Sequence, residues 1–327
     1  MKNIPNEFID CVITDPPYFI DGMDNNWDIE KLNNKVKKAN VIGSLPVGMK
    51  FDPKQGIELQ RFMEEVSREI YRILKPGAFY LSFSQGRLYH RMGIAIENSG
   101  FEIRDMLIWK REGQAKAFSQ DHFVKRMNIS DEQKAEIIKK LGGRKTPQLK
   151  GQSEAIVLAQ KPKDGTFINN WLKYEVGLID VSQSLDGKFP GTIMEVEKPK
   201  GKERENKHIC LKPIKLLEHL VRLFTKEGQI VLDPFMGSGS TGISCLNTNR
   251  KFIGMEINKE YFDNLDVKFS ITSQLFAPVW ANSIVGQYEI SSPNGVVANG
   301  NIIATNTVYK KKAFFYFFNF LSIILKF

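Results

Sequence analysis

The chain reads as an α/β protein built on a doubly wound, mostly parallel sheet. Two observations predict this class. Short apolar runs rich in β-branched and aromatic residues alternate with amphipathic helical stretches. Residues 228–258 then give a complete strand, glycine loop, helix and strand in succession. At 327 residues the chain is long enough for one large α/β core carrying an inserted smaller lobe, or for two domains.

The elements follow in order. Phe8–Thr14 is predicted as a buried strand, and Asp15-Pro16-Pro17-Tyr18 ends it abruptly because proline has no N–H to continue a ladder. Residues 21–54 are polar and rich in Asn and Gly; loops of such length are uncommon unless functional or disordered, and this one is expected to form a flap over the site. Glu58–Lys75 places Phe62, Val66, Ile70, Ile73 and Leu74 on one side of a helix, which Lys75-Pro76-Gly77 is expected to stop. Ala78–Ser84 is the next strand, Tyr89–Asn98 a second helix and Phe101–Trp109 another strand. Periodicity weakens from 110 to 150. Glu154–Gln160 recovers a strand that returns to the core sheet, and 164–204 is mixed, with Trp171 and Tyr174 as packing anchors. Gln229–Asp233 and Lys251–Glu256 are the strands around the glycine loop. Beyond Phe269, residues 301–309 have strand character. Ala313–Phe327 is apolar and aromatic but only 15 residues long, interrupted by Asn319, Ser322 and Lys326; a spanning helix needs ~20. A partner-facing or interfacial helix, or a frameshifted tail, is expected there rather than a membrane span.

Net charge is +9 with an isoelectric point near 9.2, which favours a polyanionic partner. Residues 110–163 hold 13 Lys/Arg against 6 Asp/Glu, an excess of 7. The pairs Lys110-Arg111, Lys125-Arg126 and Arg144-Lys145 are the candidates for phosphates or base edges; the plainer alternative is a solvated charged face. Cys11, Cys210 and Cys245 are scattered, and His90, His122, His208 and His219 form no zinc pattern. No metal, a reducing compartment and a cytoplasmic location are the expectation. Met1–Glu7 lacks the apolar core of a signal peptide.

Two segments carry chemistry. Asp15-Pro16-Pro17-Tyr18 projects a carboxylate, a fixed carbonyl and an aromatic face from a strand's carboxyl end. That set suits the exocyclic amino group of a flat base: two acceptors for two N–H bonds, and a ring to stack on. The alternative is a Pro-Pro turn with a solvated Asp and a packed Tyr. In the second segment, Gly237, Gly239 and Gly242 let the backbone approach a ligand ahead of a helix N-terminus, and Glu256 ends the next strand, where an acid binds a ribose diol. This predicts a nucleoside-cofactor site. Gly237-Ser238-Gly239-Ser240-Thr241-Gly242 formally satisfies the dinucleotide fingerprint, so a nicotinamide or flavin enzyme competes; Asp233-Pro234-Phe235 is atypical of a dinucleotide turn, and no hydride-transfer constellation stands out.

Asp233-Pro234-Phe235-Met236-Gly237-Ser238-Gly239-Ser240-Thr241 resembles the S-adenosylmethionine loop of the DNA amino-methyltransferases, and Asp15-Pro16-Pro17-Tyr18 resembles their catalytic motif. The cofactor loop follows the catalytic motif by about two hundred residues, which is similar to the circularly permuted beta group, with target recognition between the two. Residues 206–217 resemble the family's stretch before the loop: His208, then Lys212-Pro213 opening an amphipathic helix, with Pro213 suited to a first helical turn. Ile209-Cys210-Leu211 departs from the usual Thr-Gln or similar pair. The alternative for Lys212 is a solvated lysine at a helix start.

The resemblance implies a Rossmann-like methyltransferase fold with residues 1–109 as the catalytic half, 110–205 as target-recognition region, 206–269 as the S-adenosylmethionine-binding half and 270–327 unassigned. It implies that Asp15 and the Pro16 carbonyl hold the amino group beside Pro17, that Tyr18 stacks on an extruded base, and that Asp233, Phe235, Gly237, Ser238, Gly239, Glu256 and Lys212 bind the cofactor. Adenine is the preferred target because Asp heads the motif; cytosine-directed relatives more often have Ser. Double-stranded DNA, a cognate restriction endonuclease and a homodimer are the implied partners, in a bacterial or phage restriction–modification setting. Relatives usually carry a strand and acidic loop upstream of the catalytic strand, whereas here seven residues precede Phe8; a truncated start or a replacement from elsewhere is expected. A methyltransferase acting on RNA or protein glutamine, and a non-catalytic DNA-binding remnant, are the remaining alternatives.

Overall fold

The computed structural model describes residues 1–18, 53–113, 117–184, 187–199, 211–256, 296–299 and 302–306, the last two by their backbone. Nearly all of the expected flap, the segment around His208 and the apolar run at 313–327 lie outside the described residues.

Strands β1 (Ile9–Thr14), β2 (Leu74–Ser84), β3 (Glu102–Lys110), β4 (Ser153–Gln160), β5 (Ile193–Glu195), β6 (Ile230–Asp233), β7 (Lys251–Glu256), β8 (Val296–Asn299) and β9 (Ile302–Asn306) form one sheet in the order β5-β3-β4-β2-β1-β6-β7-β9-β8. Pairings β1–β2, β1–β6, β6–β7, β7–β9 and β3–β5 are parallel; β4 runs antiparallel to both β2 and β3, and β8 to β9. The helices are α1 (Pro53–Ile73), α2 (Tyr89–Asn98), α3 (Asp121–Lys125), α4 (Asp131–Leu141), α5 (Phe167–Tyr174), α6 (Ile214–Phe224) and α7 (Ser240–Asn247).

Side-chain alternation along the buried strands divides the core in two. Cys11, Ile13, Leu81, Phe83 and Val231 pack with Leu216, Leu220 and Val221 of α6. On the other face Ile9, Val12, Tyr80 and Leu232 pack with Leu59, Met63 and Ile70 of α1 and Met92 and Ile96 of α2. Helices therefore cover both faces, and the doubly wound class predicted from the sequence holds.

Two boundaries differ from expectation. Helix α1 begins at Pro53, a residue whose missing N–H costs nothing at a helix start. Strand β2 takes in Lys75-Pro76-Gly77 instead of starting after it. Strand β4 returns to the core sheet as expected, with Ala155–Gln160 buried, and lies between β3 and β2; the stretch expected as target-recognition region also contains residues 193–195, which add an edge strand beside β3. What stands apart is the stretch around α3 and α4. Its ends are clipped by Phe118 N–H donating to Thr146 Oγ1 (2.9 Å) and Thr146 N–H to the Phe118 carbonyl (3.0 Å). Helix α4 is closed by a Ser130–Gln133 capping box and Gly142, and buries none of its residues.

The expected anchors both pack. The Tyr174 ring lies against the α1–α2 side of the core, and the Lys226 ammonium lies 5.4 Å from the Trp171 ring centroid. Asn170, beside Trp171 in sequence, is buried, donates to the Pro76 and Val176 carbonyls (3.0 Å each) and accepts from Asp164 N–H (2.9 Å). Gly77 sits beside it at φ +79°, where an added Cβ would meet Asn170 Nδ2 at 2.3 Å. Gly77→Ala is therefore expected to cost about 2 kcal/mol or more, read as a lower urea midpoint at unchanged slope; an unshifted midpoint would contradict this account of the turn.

Candidate active site

Strands β1 and β6 are parallel neighbours, but the chain leaves them in opposite directions, from β1 toward β2 and from β6 toward β7. The crevice beyond their carboxyl ends is a topological switch point, the place where doubly wound sheets bind ligands. Asp15 follows β1 there, and Asp233 ends β6.

Asp233 is fully buried and satisfied. Its Oδ1 accepts from Thr14 Oγ1 (2.6 Å) and Phe235 N–H (3.1 Å), and its Oδ2 from Thr241 Oγ1 (2.7 Å). One carboxylate thus ties β1, the glycine loop and α7 together. Burial pushes its pKa up to about 6 against the pull of these three donors, and the Asp15 charge adds to the rise.

The loop beyond Asp233 is shaped for a ligand. Gly237 and Gly239 have φ of 47° and 74°, conformations a side chain would strain. Gly239 is the N-cap of α7, and the buried Ser238 and Ser240 hydroxyls stand 2.9 Å apart beside it. Phe235 packs on Phe62 of α1, ring centroids 5.9 Å apart. Glu256 ends β7, half-buried. Helix N–H and hydroxyl donors on one side and a carboxylate on the other fit a nucleoside that also carries an amino-acid carboxylate, as S-adenosylmethionine does.

Asp15 is held from two sides. The Tyr18 hydroxyl donates to its Oδ1 and the Lys212 ammonium to its Oδ2. Lys212, just ahead of α6, is buried, and the solvated alternative is corrected: Nζ also lies 3.0 Å from Glu154 Oε1 and 4.9 Å from the Phe83 ring centroid. A buried ammonium needs such partners. Lys212, expected with the cofactor loop, thus joins the carboxylate of the first motif to that of β4. Pro16 is buried and Pro17 half-buried, which fixes the turn.

Glu154 is the residue that sequence reasoning missed. Its strand was predicted, but an acid at a strand's start carries no mark of where it points. Paired with Trp109 across β3–β4, it reaches the Tyr18 hydroxyl (Oε1, 3.3 Å) and lies 3.6 Å from Arg111 Nε through Oε2. Thr14 and Thr241 were likewise unmarked.

The basic pairs separate. Arg111 turns toward Glu154, its guanidinium 5.7 Å from the Trp109 ring centroid, while Lys110 bonds Glu195 Oε1 at 2.5 Å. Lys125, Arg126, Arg144 and Lys145 are exposed around α3 and α4, Arg144 also donating to the Leu141 carbonyl (3.0 Å). Among the described residues no group of three or more His, Cys, Asp or Glu is placed to hold a metal ion.

The elevated Asp233 pKa sets a pH dependence. Between the unfolded value of 3.8 and about 6 the folded protein holds a proton that the unfolded chain has lost. This contribution to stability is present below pH 4 and is lost as pH rises through 6. Asn at 233 keeps the acceptor toward Thr14 and Phe235 and does not titrate. The stability of the parent relative to Asp233→Asn should fall on the order of 3 kcal/mol between pH 4 and 7, measured by urea unfolding; a pH-independent difference would contradict the burial argument.

Comparison with known proteins agrees with this geometry. The family described as DNA methylase, covering enzymes of the N6-adenine and N4-cytosine type, matches residues 9–267. Type II methyltransferase M.HindIII of Haemophilus influenzae is 31% identical over 286 residues, covering 80% of this chain and 89% of the relative. Type II methyltransferase M2.DpnII of Streptococcus pneumoniae is 29% identical over 264 residues, covering 80% and 82%. The solved PvuII DNA methyltransferase, cytosine-N4-specific, shares the fold at a TM-score of 0.50 and 17% identity, with 87% of this chain and 84% of that one covered. With the family match spanning most of its length, the chain belongs to the S-adenosylmethionine-dependent DNA methylases of the N6-adenine and N4-cytosine type.

Proposed function

We propose that this protein methylates the exocyclic amino group of adenine in double-stranded DNA, as the modification enzyme of a restriction–modification system. The observation that carries the reading is the meeting of Asp15-Pro16-Pro17-Tyr18 and the Asp233 glycine loop at the ends of adjacent parallel strands. S-adenosylmethionine, when bound, supplies an electrophilic methyl on its sulfonium.

The chain's task is the other reactant. An aryl amino nitrogen is conjugated with its ring and is a poor nucleophile. Asp15 and the Pro16 carbonyl accept its two N–H bonds and draw the lone pair out of conjugation, as preorganised acceptors. The Tyr18 ring stacks on the base, offsetting the few kcal/mol needed to extrude it from the duplex. The Lys212 ammonium lies against Asp15 and fixes the direction in which that carboxylate faces the crevice. Asp233, Phe235, Gly237, Ser238 and Gly239 shape the cofactor's cradle, and Glu256 takes its ribose hydroxyls. Adenine is preferred because Asp heads the first motif.

Lys125, Arg126, Arg144 and Lys145 supply phosphate contacts, being exposed members of the local charge excess. Replacing all four with Ala should weaken duplex binding and reduce the slope of log K against log salt by about 0.9 for each residue that meets a phosphate. An unchanged slope would remove this lobe from the interface.

The central experiment is transfer of labelled methyl from S-adenosylmethionine to unmethylated duplex DNA, followed by nucleoside digestion and mass analysis. Methyladenine is expected, and Asp15→Ala should slow transfer by about a thousandfold while retaining duplex binding. Methylcytosine would overturn the base assignment. Binding of DNA without any transfer would favour a non-catalytic remnant.

A further inference from the structure

We propose that Glu154 is a positioning residue for methyl transfer: it is the acceptor to which the Tyr18 hydroxyl turns when Asp15 receives the target amino group. The inference rests on the functional reading above and adds a residue that reading does not use.

The need for it comes from the donors already on Asp15. Its Oδ1 accepts from the Tyr18 hydroxyl and its Oδ2 from the Lys212 ammonium. Each oxygen keeps a second lone pair for an arriving amino group, but shares its charge with the donor already in place. If the Tyr18 hydrogen stays on Oδ1, it weakens the acceptor that must draw out the nitrogen lone pair. If it leaves with no other acceptor, a half-buried hydroxyl is stranded in a closing site.

Glu154 Oε1 resolves this competition. It lies 3.3 Å from the Tyr18 hydroxyl oxygen, so the single hydroxyl hydrogen has two carboxylates within reach. Rotation about the phenolic C–O bond carries the hydrogen from Asp15 to Glu154 while the ring stays still, free to stack. The charge balance is already in place: Lys212 Nζ touches Asp15 and also lies 3.0 Å from Glu154 Oε1. The ammonium therefore faces both carboxylates before and after the exchange. Glu154 is also held firmly. It opens a strand buried between β2 and β3, pairs with Trp109, and its other oxygen faces Arg111.

A residue serving only as counter-ion to Lys212 would act independently of the Tyr18 hydroxyl, and this separates the two roles. Single-turnover rates of methyl transfer to duplex DNA are measured for the parent, Glu154→Gln, Tyr18→Phe and the double variant, together with Kd for S-adenosylmethionine and for the duplex. Glu154→Gln keeps the shape but offers a neutral, weaker acceptor; it should slow transfer about tenfold with both Kd values within about twofold of the parent. In the Tyr18→Phe background, where no hydroxyl needs a second acceptor, the same change should cost less than about twofold. Glu154→Asp, which keeps the charge but draws it away from Tyr18, repeats the cycle should the Gln variant fold poorly. Equal losses in both backgrounds, or a parental rate in Glu154→Gln, would overturn the proposal while leaving the functional reading intact. A parent that transfers no methyl overturns that reading and takes this inference with it.

Discussion

The site depends on a single buried carboxylate. Asp233 is enclosed at the end of β6 with both oxygens engaged, by Thr14 from β1, Thr241 from α7 and the Phe235 N–H of its own loop. Nothing compels a folding chain to bury an acid, and this one carries a raised pKa as the cost. In return the three donors come from segments that would otherwise be free to shift against one another. A carboxylate with three directional bonds fixes the end of β1, and hence Asp15, against the turn leading into α7. The glycine loop and the Asp15 turn are thereby set in one register, although Thr14 and Asp233 are 219 residues apart in sequence.

Lys212 applies the same logic one layer higher. Its position just ahead of α6, one residue before the N-cap Pro213, directs a long side chain along the Phe83 ring to a charged head between Asp15 and Glu154. An ammonium so placed is stable only while both acids stay near it, so it joins the catalytic turn to the first residue of β4. Removing one partner of such a group costs more than the pair contributes, because the remaining charge is left desolvated. Among the described residues the crevice is therefore held firmly around Asp15, while the Tyr18 hydroxyl hydrogen can turn by rotation alone.

Much of this was legible in the sequence. The strand before Asp15 and the strand–loop–helix–strand around Gly237 were readable because β-branched runs, prolines and glycines state local backbone needs directly. The resemblance of two motifs then placed both at one site, which their separation in the chain hides. What could not be read was set by tertiary contact. Glu154 looks like any acid at a strand edge until β3 and β2 close around it. Arg111 belongs by composition with the basic pairs, yet Glu154 and Trp109 draw it inward. Composition also does not separate sheet from insertion: charge excess runs through Lys161 and Lys163, while β4 beside them is a core strand.

The sheet order also explains why a catalytic motif can precede its cofactor loop by two-thirds of the chain. A switch-point crevice requires only that two parallel strands be neighbours and that the chain depart from them to opposite sides. Neither condition refers to which strand comes first. Here β1 leads through β2 and on to β3, β4 and β5 on one flank, while β6 leads to β7 and β9 on the other. The connection between the halves returns through α6, whose apolar face packs under Cys11, Ile13 and Val231, with Lys212 just ahead of its N-cap reaching the crevice. The stretch around α3 and α4 is inserted between β3 and β4 without disturbing the site, because β4 still completes the sheet beside β2. The antiparallel direction of β4 meets a second requirement. It starts Glu154 at the same end of the sheet as the carboxyl ends of β1 and β2, so a strand running against its neighbours brings its first residue to the mouth where theirs finish.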